Sequence, residues 1–218
     1  VTWQHPNMPW DNTQLWLGDI NSKGDLVNIK QVATEQSGSM TQPLFSPSGQ
    51  LYFVADYNNW WNIYRLDESG QAEIVHQQEA EFAVADWQFG HHNYAFESNS
   101  TIVASYSHQG KAGLVRIDTE SGVTEAIAVD FADIAYVTKS DNAVIFVGTK
   151  ETPEKGIYKV QGRLAQLIYA PTLAVMDPNF ISRAESISFK TGNKDTAHGY
   201  FYPPVNPNFQ APAGQEPP

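Results

Sequence analysis

The stretch nearest to a cation site is Asp19-Ile20-Asn21-Ser22-Lys23-Gly24-Asp25, with side-chain oxygens at the first and third places and glycine at the sixth. A calcium loop shares that start, but Lys23 stands at the fifth place and Lys30 at the twelfth, where an oxygen donor and a bidentate glutamate are needed. The stretch therefore reads as a hairpin corner. His91-His92 offers two imidazoles, yet neighbours on a strand point to opposite faces and no Cys or His-x-x-x-His completes a ligand set. Glu79 and Glu81 suit the ammonium end of a peptide, because a carboxylate pairs well with it in a partly desolvated cavity. The competing reading is a solvated loop. Trp60-Trp61 could form a binding platform, but strand alternation turns one ring inward to pack as structure, and Trp3, Trp10, Trp16 and Trp87 are read as packing aromatics too. His198 reads as a solvated or core-satisfied histidine. The chain contains no Gly-x-Ser-x-Gly, no phosphate-binding Gly-Lys-Ser/Thr loop and no Gly-x-Gly-x-x-Gly. No catalytic or metal-binding residue is assigned, the substrate-binding residues stay open, and no cofactor is expected.

The elements that would position these residues are short strands. Four segments share one pattern: Gln14-Leu15-Trp16-Leu17-Gly18-Asp19, Asn62-Ile63-Tyr64-Arg65-Leu66-Asp67, Gly113-Leu114-Val115-Arg116-Ile117-Asp118 and Gly156-Ile157-Tyr158-Lys159-Val160-Gln161. Their second residues lie 48, 51 and 43 residues apart, the length of a four-stranded propeller blade. Each segment is followed by a glycine-bearing turn and a second apolar run, which makes a hairpin. The last three are preceded by β-rich runs at 51–55, 102–106 and 143–147, with further strands expected near 41–45, 87–96 and 132–137. The apolar runs do not alternate cleanly, as expected where a sheet is covered on both faces.

These segments predict an all-β chain: an incomplete β-propeller of about three four-stranded blades plus part of another. The divisions are 1–34 (partial blade), 35–84, 85–131 and 132–176 (whole blades), and 177–218 (strands and a Pro-rich linker). Closed rings usually hold about four to eight blades, so further blades are expected upstream. An open arc leaves two apolar blade faces uncovered, and the isolated chain is expected to self-associate.

Composition narrows the function classes. Hydrophobic residues make up 41% of the 218 and charged residues 17%, which is a folded globular chain. A net charge of −11 repels a phosphate backbone, so nucleic acid is not an expected partner. There is no cysteine and no apolar run of the roughly 18 residues that a membrane helix needs. Val1 to Pro6 lacks the basic and apolar regions of a signal peptide. A cytoplasmic location and no membrane association are expected.

Trp3-Gln4-His5-Pro6-Asn7-Met8-Pro9-Trp10-Asp11, Gln42-Pro43-Leu44-Phe45-Ser46-Pro47-Ser48-Gly49, Trp60-Trp61-Asn62-Ile63-Tyr64-Arg65, and Ala80-Glu81-Phe82 with Trp87-Gln88-Phe89-Gly90 resemble the propeller domain of the prolyl oligopeptidase (S9) family of serine peptidases, in its acyl-aminoacyl-peptidase and dipeptidyl-peptidase branch. The resemblance covers nearly the whole chain. Ala184-Glu185-Ser186-Ile187-Ser188-Phe189 and Ala197-His198-Gly199-Tyr200-Phe201-Tyr202-Pro203-Pro204 resemble the strands that lead from the propeller into an α/β-hydrolase domain. The resemblance implies a propeller that restricts an active site to short peptides. The triad would then be carried by the hydrolase domain, with its serine in a Gly-x-Ser-x-Gly elbow. His198 precedes any such elbow, the wrong order for the base, and these 218 residues alone are expected to be inactive. The alternative is a TolB-like propeller that binds protein partners without catalysis. A tail of two extra strands with a Pro-rich exit favours the peptidase.

Overall fold

The computed structural model describes residues 1–88, 90–151, 154–171, 177–192, 194–212 and 214–215. Phe89 of the Trp87–Gly90 motif, the blade limit at 176 and the end of the Pro-rich exit at Pro218 lie outside the described residues. Among the described residues there is no α-helix, only a 3-10 turn at Pro178–Phe180. The first sheet pairs β1 (Leu15–Ile20) with β2 (Leu26–Val32), and an antiparallel bridge from Thr2 to Gln14 adjoins it. Three four-stranded sheets follow, each antiparallel and each in chain order. They are β3 (Met40–Phe45) to β6 (Ala72–His76) through β4 (Leu51–Ala55) and β5 (Asn62–Leu66); β7 (Tyr94–Phe96) to β10 (Thr124–Ile127) through β8 (Thr101–His108) and β9 (Lys111–Asp118); and β11 (Asp133–Ser140) to β14 (Leu164–Tyr169) through β12 (Ala143–Thr149) and β13 (Lys155–Gln161). A separate hairpin joins β15 (Glu185–Lys190) to β16 (Thr196–Phe201).

The sheets are blades stacked face to face, and the strand period of two explains how. On β4, Phe53 points into the core shared with the first sheet, beside Leu15 and Met40, while Tyr52 and Val54 point into the core shared with the third, beside Ile102 and Ile117. On β8, Ile102 and Ala104 enter that same core, and Val103 enters the next one, beside Val137 and Phe146. All five residues of β4 are buried because both faces are covered. On β12 only Val144, Phe146 and Gly148 are buried, since the fourth sheet has a neighbour on one side alone. Ile157 of β13 and Leu164 and Tyr169 of β14, on the other face, are exposed in consequence.

One expected strand is corrected. The first strand of the third sheet, expected over 87–96, is only Tyr94–Phe96. Gly90 takes φ +87°, a left-handed turn that breaks an extended run, and residues 91–93 reach sideways instead. The amide of Val137 donates to the His92 carbonyl at 2.8 Å, which joins the third sheet to the fourth. The side chain of Gln42 exchanges two hydrogen bonds with Asn93 (3.0 and 2.7 Å), and the Tyr94 hydroxyl donates to the Gln42 carbonyl at 2.9 Å, which joins the second sheet to the third. Gln42 and Tyr136 sit at matching bulges of the first strands, β3 and β11, with φ of +52° and +56°.

Candidate functional site

Strand parity sorts the connections onto two opposite faces. An even number of antiparallel strands returns the chain to the side from which it entered the blade, so the connections between sheets and the loops from second to third strand share one face. The turns on the opposite face are short and polar, such as Ser46–Gln50, Asp67–Gln71 and Thr119–Val123, and contain no aromatic residue. Five of the six tryptophans, Trp3, Trp10, Trp60, Trp61 and Trp87, lie in connections on the first face. That concentration of ring surface makes it the candidate recognition side.

That face holds a cavity of about 210 Å³ whose lining includes Glu81, Asn93, Ser105, Ser107, Asp133 and Tyr200. Main-chain hydrogen bonds of 2.9 Å in both directions between Glu81 and Ser107 hold the inter-sheet connection against the end of β8. The Glu81 carboxylate accepts from the Trp61 amide at 3.0 Å, so one of its oxygens is committed to the loop before β5. Glu79 does not line the cavity; its carbonyl accepts from His108 Nδ1 at 2.7 Å. The hairpin β15–β16 reaches the same face: the Tyr200 hydroxyl donates to the carbonyl of Gly110 in the β8–β9 turn and walls the cavity. Gly110 has φ +75°, and a Cβ there would collide with the Tyr200 hydroxyl. Tyr94, fully buried beneath this face, has its ionisation pushed well above the ordinary value of 10.0, by burial first and by Tyr52 second.

The other candidates separate. Asn28 Nδ2 donates to Asp19 at 2.9 Å, and Asn21 Oδ1 accepts from the amides of Lys23 and Asp25, which closes a hairpin corner. His91 and His92 lie in a connection, not on a strand as the alternation reading required, and His91 stacks on Tyr136. Among the described residues no cluster of three or more His, Cys, Asp or Glu could hold a metal. Trp60 and Trp61 are both half-buried in the turn before β5, so strand alternation does not govern them either; Trp61 packs on the core between the second and third sheets. Trp87, read as a packing residue, is 72% exposed, because the segment around it leaves the sheet. His198 Nδ1 lies 2.8 Å from Ser188 Oγ across the tail hairpin. That pair is exposed, and no acidic side chain among the described residues orients the imidazole, so it lacks the third member of a catalytic set. Sequence reasoning missed this pair, the Gln42–Asn93 exchange and the Tyr200–Gly110 contact. Only the cross-strand register of the tail could have signalled the first.

No family model and no curated protein sequence matches the chain. Solved structures do. Puromycin hydrolase superimposes with a TM-score of 0.88 at 27% identity, and its mutant complexed with PGG with 0.89 at 26%, each over 99% of this chain and 33% of that chain. Prolyl oligopeptidase B from Galerina marginata shares the fold, with a TM-score of 0.65 at 13% identity over 87% of this chain and 27% of that one. The chain has the fold of part of the β-propeller in these S9-family peptidase structures. It spans about one third of the length of the puromycin hydrolase structures. The tryptophan-rich side of this propeller is also the side that the tail hairpin occupies.

Proposed function

We propose that this chain is the substrate-filtering part of a serine exo- or oligopeptidase, and that the parent protein hydrolyses short peptides or peptide-like amides in a hydrolase domain outside these residues. The observation that carries the reading is the seat of the tail. The fourth strand of the last blade ends on the tryptophan-rich face, and Tyr200 pins the following hairpin there against Gly110, beside the cavity. A catalytic domain reached through that hairpin would face the cavity and the aromatic connections, so a peptide would meet this surface before the nucleophile. The similarity to puromycin hydrolase supports the same reading. Acyl transfer needs a nucleophile, a base and oxyanion donors in one place, and no such set is seen among the described residues.

Two measurements test this. The coding sequence after Pro218 should contain a Gly-x-Ser-x-Gly within roughly 100–150 residues, the span of one domain; its absence would leave a binding propeller and sink the peptidase. A fluorophosphonate probe should leave the 218-residue chain unlabelled, and specific labelling removed by one Ser→Ala change within it would overturn the placement of the nucleophile.

A further inference from the structure

Trp87, His91 and Tyr136 stack across the junction of the third and fourth sheets. The His91 and Tyr136 rings lie 5.5 Å apart and nearly parallel at 14°, and Trp87 lies 6.4 Å from His91 at 47°. Packing does not account for this group, since Trp87 is 72% exposed and Tyr136 is 40% exposed. The backbone of Tyr136 is also strained, because a bulky side chain is disfavoured at φ +56°. The matching bulge at Gln42 turns the same strain into hydrogen bonds with Asn93 and Tyr94. At the Tyr136 bulge the return is the bond from the Val137 amide to the His92 carbonyl, while the Tyr136 side chain makes no hydrogen bond to any described residue. His91 Nε2, beneath it, is sealed from solvent without a hydrogen-bond partner among the described residues. Bulges re-aim side chains and are frequent beside functional sites, and this one sets the half-exposed Tyr136 ring on His91.

We propose that Trp87, His91 and Tyr136 form an aromatic platform that takes the aromatic side chain of a short peptide arriving at the tryptophan-rich face. It adjoins the cavity, because Tyr136 lies two residues along β11 from Ile134, which lines it. The exposed rings of Trp87 and Tyr136, on either side of His91 in the stack, recognise a flat partner better than an aliphatic one, since offset stacking and edge contacts require rings. The specificity rests on the substrate-filter reading; the binding event does not need the catalytic domain.

The test is saturation-transfer NMR on the 218-residue chain with Phe-Gly-Gly and Ala-Gly-Gly. The phenyl protons should receive saturation and the alanine methyl should not. Trp87→Ala and Tyr136→Gly should each cut the transfer about threefold or more, the scale of one aromatic contact. Glycine accepts φ +56°, so Tyr136→Gly should hold or raise the midpoint of urea unfolding. Transfer that is absent, equal for the two peptides or unchanged in both variants overturns the platform, and so does a lowered midpoint in Tyr136→Gly with transfer intact. Should that variant unfold, Trp87→Ala decides alone, since an exposed ring leaves the core untouched. A missing hydrolase domain would show in the downstream sequence and would leave these results unaffected.

Discussion

Asp67 and Asp118 occupy the same corner in successive blades. Asp67 Oδ1 accepts from the hydroxyl and amide of Ser69 and from the amide of Gln71, and Asp118 Oδ1 accepts from the hydroxyl and amide of Ser121. Those bonds, the serine hydroxyl foremost, hold both carboxyls below their ordinary value of 3.8, and the Arg163 guanidinium does the same for Glu125. A depressed carboxyl stabilises the fold above its unfolded-state pKa, and that contribution disappears as pH falls through the folded-state value. The urea midpoint should therefore be flat from neutral pH down to about 5 and decline below about 4, the usual carboxylate range. In the double variant Asp67→Asn, Asp118→Asn the decline should be shallower, because Asn keeps the acceptor oxygen and does not titrate. Identical slopes in the two proteins would remove these corners from the pH response. The corners were legible in Asp67-Glu68-Ser69-Gly70 and Asp118-Thr119-Glu120-Ser121-Gly122, because an acidic acceptor, a serine and a glycine close together specify a turn locally. Gln42 and Asn93 were not legible, since they lie 51 residues apart and only blade stacking brings them together.

At the scale of strands, Phe53 and Phe146 are equivalent. Each is the inward residue of a second strand, 0% and 1% exposed, and each stacks on a tyrosine of the third strand: Tyr64 at 5.9 Å and Tyr158 at 5.7 Å. Phe53→Ala and Phe146→Ala should each cost ~3–5 kcal/mol in urea unfolding, the range for emptying an aromatic site in a core. A loss under about 1 kcal/mol would mean that the blade cores repack. The strands themselves were readable from Val, Ile, Tyr and Phe runs between glycine-bearing turns. The third strands also show why repeats carry so much: Arg65 and Arg116 hold the same place and pair with Glu73 and Glu125 across to the fourth strand. The short β7 and the bulges at Gln42 and Tyr136 were hidden, because bulges are settled by contacts between blades that strand propensity does not encode.

For the whole molecule, the uncovered flank of the fourth blade matters most. Ile157, Leu164 and Tyr169 are 37–63% exposed on a sheet whose other side forms a core, and apolar area of this kind drives association. The net charge of −11 opposes it, but salt screens that repulsion over about 8–10 Å near physiological strength. Light scattering after size exclusion should show association of the 218-residue chain that strengthens with added salt, and a two-fold packing of these flanks would stop at a dimer. A monomer at every concentration and salt level would show that the flanks are capped. The sequence by itself determined the blade repeat, the hairpin corners, the all-β class and the likeness to S9 peptidases, because spacing, turn chemistry and residue type act within one blade. Tertiary structure alone decided which rings stand exposed on the tryptophan-rich face, that Glu81 is held by Trp61, that Tyr200 pins the tail to Gly110, and that His91 lies on Tyr136. Those contacts tie a blade to its outgoing connection, to the next blade or to the tail, and their geometry follows from how the sheets stack, which no local pattern of side chains specifies.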